Sequence, residues 1–477
     1  MESGKVDKDA TLKVVEANWD SWFIPGLSDF VRVPNLTPMV DAEYLTNGLV
    51  EKSMECVDGY INKLGLKGLS KQTFKSESGL PLVCYIVEPT AGVTKNVMVY
   101  GHLDKQPYGT GWFDRLSPTE PTIEGDLMYG RGASDDGYAP FSCMLAVKAC
   151  QEQGVPLPRV CLVLETEEES GSPNLVALLK VAEAAIGVPD ACFCMDSGAF
   201  DYEQLWITSS LRGICILDVT IQAGETGYHS GEVGGIVPET FRILRQLLDR
   251  LDDPKTGKVI DELHVELPAW KKAEAEYMAK LAGPQLYEKY AVCEGGKYCS
   301  QEDIVQMYLN NVWCPNMSIT GADGLPPIAM AGNVVRASTG ARVSMRLPPA
   351  MDPKKAEAII RERLTTDVPY NAKVTLAGGH AGAGWCMKEL VPWLDVAIKE
   401  AGAAFYNGKE TGSYGMGGSI PFLSELEKMF PATQIVAFGL LGPNANAHGP
   451  NEMIHLPYAK KLTCSLAHVL AAVGQQV

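Results

Sequence analysis

Short apolar runs alternate with amphipathic stretches through the first part of the chain, and this alternation constrains the fold more than any other feature. The runs cover 81–87, 97–100, 160–164 and 191–195; helical spacing marks 139–153 and 174–185 between the later ones. Runs this short suit buried strands, and strands joined through helices pair side by side in parallel. Helical spacing also occupies 10–33, interrupted near Pro25-Gly26, and 41–64. After about Leu211 the pattern changes: 213–222 and 341–347 alternate with period two, and long helical stretches at 238–251, 268–281 and 353–366 lie between and beyond them. Beyond about Trp385 the first pattern resumes at 391–403 and 434–439. The expected class is α/β. One discontinuous domain (1–211 and 386–477) has helices flanking a mostly parallel sheet, and an α+β domain (212–385) is inserted into it. No internal repeat is visible.

Polar motifs sit where the apolar runs end. Tyr100-Gly101-His102-Leu103-Asp104 closes one run, Glu165-Thr166-Glu167-Glu168-Glu169 another, and Met195-Asp196-Ser197 a third. The carboxyl ends of strands are where open α/β sheets place their sites. Gly130-Arg131-Gly132-Ala133-Ser134-Asp135-Asp136-Gly137 and, far downstream, Ala447-His448-Gly449-Pro450 add a further carboxylate and a second imidazole. His102, Asp135, a glutamate of the acidic tract, Asp196 and His448 form a ligand set suited to a pair of Zn²⁺ or Mn²⁺ ions that share one carboxylate. Such a pair clamps a carbonyl and ionises a water, so the set points to a hydrolase. For His448 to join His102, the C-terminal third must return to the N-terminal sheet.

Gross composition excludes several classes. A length of 477 residues exceeds what one core usually serves. The net charge of −17, with no basic block, argues against a nucleic-acid or anionic-membrane partner. The polar start lacks a signal-peptide core, and no stretch approaches the roughly 18–20 apolar residues of a membrane span. Thirteen cysteines, an odd number without CxxC spacing, include Cys84, Cys161, Cys192 and Cys194 in apolar runs. They read as buried free thiols in a reducing, cytoplasmic compartment.

Each motif also has a plainer reading. Asp104 is placed to orient His102, while a capped loop that happens to hold a histidine accounts for the same letters. Asp135 suits a bridging ligand or a helix N-cap, and the two roles are compatible. Two adjacent glutamates at a strand end let one bind metal while the other moves protons, and spacing alone does not say which. His264, His455 and His468 lie in apolar surroundings and read as structural, whereas His229 and His380 sit in small-residue loops that favour function. Gly417-Gly418-Ser419-Ile420-Pro421 offers either a carboxylate-binding nest or a turn before a helix.

Together the motifs resemble the M20 metallopeptidase family, and within it the branch of cytosolic nonspecific dipeptidases and carnosinases. The similarity runs from about Asp41 to the C-terminus. It rests on Tyr100-Gly-His-Leu-Asp104, Tyr129-Gly-Arg-Gly-Ala-Ser-Asp-Asp136, Glu168-Glu-Ser-Gly-Ser172, Leu211-Arg-Gly-Ile214, His229-Ser-Gly231 and Gly417-Gly-Ser-Ile-Pro421. The resemblance implies Glu168 as general base and Glu169 as ligand. It also implies His102 with Asp196 on one ion, Glu169 with His448 on the other, Asp135 bridging, and Asp104 orienting His102. It further implies a cis bond between Asp135 and Asp136 and a homodimer formed through the inserted, lid-like domain. In that dimer His229 would reach the partner's site and stabilise the oxyanion. Arg346 and Ser419 match positions that hold a substrate carboxylate, and His380, Asn333 and Met416 are further substrate-pocket candidates.

The chain departs from near relatives at Gly415-Met416, where they carry Arg-Glu, at Asn333, where they carry Thr, and at Gly137-Tyr138, where they carry Lys-Gly. The expected activity is hydrolysis of the peptide bond of unblocked dipeptides, including β-alanyl or cysteinyl-glycine types. N-acyl amino acid deacylation on the same centre is the alternative, since Met416 suits an acyl group or other small amide. A scaffold without catalysis is the rival from another class, and it predicts loss of a ligand or of the base; all six positions are present.

Overall fold

The computed structural model describes residues 5–288, 290–418 and 420–476. Its contacts divide into two compact units: Met1–Thr208 with Met387–Tyr414 and Glu425–Val477, and Ser209–Cys386 with Gly415–Ser424. The stretch Gly415–Ser424, expected in the first domain, packs in the second unit. There the Gly415 N–H donates to the Tyr308 hydroxyl at 2.7 Å, and Arg212 Nε–H donates to the Gly417 carbonyl at 3.3 Å.

The first unit is built on a twisted sheet in the order Leu69–Lys75, Pro81–Val87, Arg159–Glu165, Asn96–His102, Ala191–Cys194, Gln434–Ala437. Its centre is parallel: Asn96–His102 pairs in parallel with both Arg159–Glu165 and Ala191–Cys194, and Gln434–Ala437 pairs in parallel with Ala191–Cys194. The margin is antiparallel, with Pro81–Val87 running against both Leu69–Lys75 and Arg159–Glu165. Every position of Pro81–Val87 and Asn96–His102 is buried, as expected for strands covered on both faces. The downstream strand Gln434–Ala437 brings the C-terminal part of the chain back into the N-terminal sheet.

Helices Lys8–Asn18, Ala139–Gln153, Pro392–Phe405 and Leu456–Gly474 pack against one another over this sheet. The stretch 10–33 is helical in three pieces, with a π-helical turn at Trp19–Phe23 before the final helix Ile24–Arg32. Pro25 lies at the start of that last piece, directly after the π-helical turn. The expected helix over 41–64 begins only at Leu49. Upstream of it, Asp41 accepts the Glu43 N–H at 3.0 Å and Asn47 accepts the Leu49 N–H at 3.0 Å, local bonds that compete with a helical ladder.

The second unit holds a four-stranded antiparallel sheet in the order Asn316–Asp323, Ser338–Leu347, Gly213–Gln222, Lys373–Gly382. Alternate residues of the two central strands, among them Leu217, Val219, Val343 and Met345, point into one core. Ile243 and Leu247 of Thr240–Leu248 and Ile360 and Leu364 of Pro353–Thr365 join them there. Among the described residues no helix is long and apolar enough to cross a membrane. All thirteen cysteines are free thiols, and Cys84, Cys161, Cys192 and Cys194 are buried.

One aromatic cluster locks the helical layer of the first unit. The Phe141 ring meets Trp22, Phe23 and Tyr60 edge-on at 5.6, 6.2 and 6.1 Å between centroids. Phe141→Ala empties that contact, and the expected cost is about 3–5 kcal/mol of stability. Urea unfolding checks this; a midpoint equal to that of the wild type would show the cluster to be dispensable.

Candidate metal centre

Parallel strands share a direction, so the central strands of the first unit all end at one edge. His102 is in register with Glu165, and the chain beyond Glu165 turns at once into the short 3₁₀ segment Glu168–Ser170. Asp196 follows the neighbouring strand Ala191–Cys194, and the loop beyond Gln434–Ala437 leads to His448. Strand direction therefore delivers two imidazoles and several carboxylates to a single place.

Asp135 lies between the imidazoles. Its Oδ1 is 3.3 Å from His102 Nε2, and its Oδ2 is 3.1 Å from His448 Nε2. His448 Nε2 is also 3.1 Å from Glu169 Oε2, and His102 Nε2 is 4.0 Å from Asp196 Oδ2. Donor atoms of His102, Asp135 and Glu169 lie within 4.8 Å of one another, as do those of His102, Glu168 and Asp196. The peptide bond between Asp135 and Asp136 is cis. His102 is fully buried, while His448 is exposed at the rim of the group.

Supporting contacts fix these side chains. His102 Nδ1 is 3.0 Å from the Asp104 carbonyl and 3.6 Å from its carboxylate. That carboxylate is committed elsewhere: its two oxygens accept the Glu168 and Glu169 N–H groups at 3.0 Å each. Asp104 thus steadies the glutamate turn as well as the histidine. Gln106 Nε2 donates to Glu169 Oε2 at 2.8 Å. The Tyr138 hydroxyl donates to the Met195 carbonyl, next to Asp196. At Gly101 any side chain would collide, since a Cβ there would lie 2.6 Å from Asp136 Oδ2 and 2.7 Å from the Ala139 Cβ.

The acidic tract divides by partner. The Tyr100 hydroxyl and Ser172 Oγ donate to Glu165 at 2.6 and 3.1 Å, and Glu167 accepts two bonds from Asn174. Glu169 faces His448, whereas the Glu168 carboxylate accepts no hydrogen bond from a described residue.

So many carboxylates in one dry place oppose each other's ionisation. Burial, then the Asp196 charge, pushes Glu168 well above the ordinary glutamate range, and burial drives Asp136 the same way. Burial also raises Glu169 to about 7 and Asp196 to about 6. Asp135 goes the other way: burial opposes its charge, but hydrogen bonds to His102 and His448 outweigh it and hold the carboxyl below its usual range. For His448 burial disfavours the cation, yet contacts with Asp135 and Glu169 push it up to about 11. These carboxylates compete for too few positive partners, and the donor set of oxygen and imidazole nitrogen fits borderline to hard divalent ions.

The remaining candidates lie in the second unit. Ser230 N–H donates to the Asn333 carbonyl at 2.9 Å, and His229 pairs with Val334, so Asn333 and His229 are brought together. His229 is exposed, its Nδ1 accepting the Gly231 N–H at 3.1 Å. The Arg346 guanidinium, half-buried on Ser338–Leu347, has no ion pair or hydrogen bond among the described residues, and burial lowers its pKa. His380 lies on the strand Lys373–Gly382 rather than in the expected loop, because a bulge at Gly378-Gly379 lets pairing with Gly213–Gln222 resume at His380. Met416 ends the strand Gly412–Met416, and Ser419 lies outside the described residues. His455 caps the helix Leu456–Gly474 and stacks on Tyr202, His468 lies 3.5 Å from Glu400, and His264 Nε2 is 3.1 Å from the Val259 carbonyl.

Sequence reasoning passed over Gln106, Glu165, Asp136, Arg131 and Glu452. Gln106 was marked only by its place in the same turn as Asp104, and Glu452 only by lying four residues beyond His448.

Comparison with known proteins places the chain in a family. Residues 98–472 match the peptidase family M20/M25/M40. The Cys-Gly metallodipeptidase dug1 of Schizosaccharomyces pombe is 25% identical over 490 residues, covering 98% of this chain and all of that protein. The Beta-Ala-His dipeptidase of Rattus norvegicus is 28% identical over 277 residues, 56% of this chain and 55% of its own length. Human carnosine dipeptidase 1 shares the fold with a TM-score of 0.77 at 20% identity, over 98% of this chain and 99% of that one. With the family match spanning most of its length, the chain belongs to the peptidase family M20/M25/M40.

Proposed function

We propose that this protein is a dinuclear metal-dependent hydrolase that cleaves the peptide bond of dipeptides. The observation that carries the reading is the Asp135 carboxylate, which offers one oxygen to His102 and the other to His448. In this reading His102 and Asp196 hold one ion, Glu169 and His448 the other, and Asp135 bridges them. Zn²⁺ and Mn²⁺ both suit these donors. When bound, such ions supply Lewis acidity to the scissile carbonyl and make a water easier to ionise.

The chain's own residues do the rest. Glu168, whose carboxylate accepts no hydrogen bond from a described residue and is raised by burial, takes the proton of the attacking water and returns it to the leaving amine. Asp104 sets its position by gripping the backbone of Glu168 and Glu169. Residues of the second unit complete substrate recognition. Arg346 offers an unpaired guanidinium for a substrate carboxylate, with Ser419, His380, Asn333 and Met416 as pocket residues. The second unit acts as lid and dimerisation domain of a cytoplasmic homodimer, in which His229 serves the partner's centre and stabilises the oxyanion. Dipeptides are the substrate class because a relative that aligns over 98% of this chain is a Cys-Gly metallodipeptidase.

A substrate panel with added Zn²⁺ or Mn²⁺ tests this. Ala-Gly or Cys-Gly is expected to turn over faster than N-acetyl amino acids; the reverse order would make the protein a deacylase. Glu168→Ala is expected to keep its metal and lose roughly 10²–10⁴-fold in kcat. Loss of metal in that variant would move the base elsewhere.

Metal entry must also displace protons. Without metal, contacts with Asp135 and Glu169 push His448 up to about 11 and burial raises Glu169 to about 7, so both hold a proton more tightly than their free counterparts. Ligands bind unprotonated, so binding releases protons and weakens as pH falls. Calorimetric titration with Zn²⁺ at pH 7 in buffers of different ionisation enthalpy is expected to detect that release. Heats independent of the buffer would contradict it.

A further inference from the structure

We propose that Glu452 is a positioning residue of the metal centre, holding the turn that carries Asp135 and the turn that carries His448 in one frame through its ion pair with Arg131. The inference rests on the assignment of Asp135 and His448 as ligands made above.

The Glu452 side chain is wholly buried and Arg131 nearly so. The carboxylate accepts five hydrogen bonds. Oε2 takes Arg131 Nη1–H at 2.8 Å and the Gly132 N–H at 3.0 Å. Oε1 takes the Ser134 N–H at 3.1 Å, the Ser134 hydroxyl at 3.1 Å and the Asp135 N–H at 3.2 Å. Successive backbone N–H groups curled around one anion form a nest, and here the nest is the turn whose last member is Asp135.

The other end of the pair fixes His448. Arg131 Nη2–H donates to the Gly449 carbonyl at 2.7 Å, one residue beyond the imidazole. The guanidinium fork thus spans two acceptors on different segments, Glu452 and Gly449. Backbone contacts reinforce the frame: Gly130 N–H donates to the Glu452 carbonyl at 3.0 Å, and Met453 pairs with Tyr129 in a short antiparallel ladder. The turn has little room to shift, since a Cβ on Gly132 would lie 2.6 Å from the Lys105 Cε. Lys105 is itself buried and donates to the Phe30 and Val33 carbonyls at 2.7 Å each.

One buried carboxylate therefore sets the distance between Asp135 and His448, residues far apart in sequence whose side chains meet at 3.1 Å. A partner outside the ligand set that orients its members typically changes metal affinity by 10- to 100-fold when lost. A pair serving stability alone would leave the affinity and electronic spectrum of the folded protein's metal unchanged.

The test compares wild type, Glu452→Gln and Arg131→Lys, each loaded with Co²⁺ as a spectroscopic probe. Circular dichroism serves as the check on folding. Weaker Co²⁺ binding by chelator competition, on the order of 10- to 100-fold, is expected in both variants, with an altered visible absorption spectrum. Arg131→Lys keeps the opposite charges but cannot reach Glu452 and Gly449 together, so it decides the matter if Glu452→Gln fails to fold. Folded variants with wild-type affinity and spectrum would overturn the inference alone, and loss of fold in both would assign the pair to stability and overturn it too. Failure of the wild type to take up Co²⁺ would overturn the dinuclear reading, and this inference with it.

Discussion

Asp135 is a carboxylate shared by two histidines, and much of the first unit is arranged around that contact. One oxygen meets His102 on a central strand and the other meets His448 on a loop near the C-terminus. Around it Glu168, Glu169, Asp196, Asp136 and Asp104 crowd one largely buried space. In a medium of low dielectric, like charges this close cannot all ionise without cations. Burial raises the first four of these carboxyls, and only Asp135, held between imidazoles, stays low. Crowded carboxyls of this kind cost stability, and a bound divalent ion would offset that cost.

The sheet explains why the cost is concentrated at one edge. Asn96–His102, Arg159–Glu165, Ala191–Cys194 and Gln434–Ala437 run in the same direction, so each releases its chain at the same side. The antiparallel strands at the margin carry none of the central ligands. Gly101 and Gly132, by lacking a Cβ, let Asp136 and Lys105 come close enough to support the ligand-bearing segments from beneath.

Much of this was legible in the sequence where a pattern has one physical cause. Pro81–Val87, Thr240–Leu248 and Gly213–Gln222 lie where periodicity and apolar runs place them, because burial on two faces, one helical face or alternate faces each leaves its own spacing. His102, the acidic tract and Asp196 were legible because they fall where apolar runs stop. The parallel centre was legible too, but the antiparallel margin at Leu69–Lys75 and Pro81–Val87 was not, since an apolar run reads the same in either. Local side-chain bonds at Asp41 and Asn47, which delay a helix to Leu49, compete with propensity in a way that spacing does not record. Nor were Arg131 and Glu452 legible as a pair. Buried charges separated by hundreds of residues leave no local signature, and only the fold brings them to 2.8 Å.

Anomalous diffraction from crystals grown with Zn²⁺, recorded at the zinc absorption edge, tests the central claim most directly. Two peaks about 3.5–4 Å apart are expected, with an Asp135 oxygen on each, one near His102 and Asp196 and the other near Glu169 and His448. A single peak, or two with Asp135 turned away from either, would contradict it.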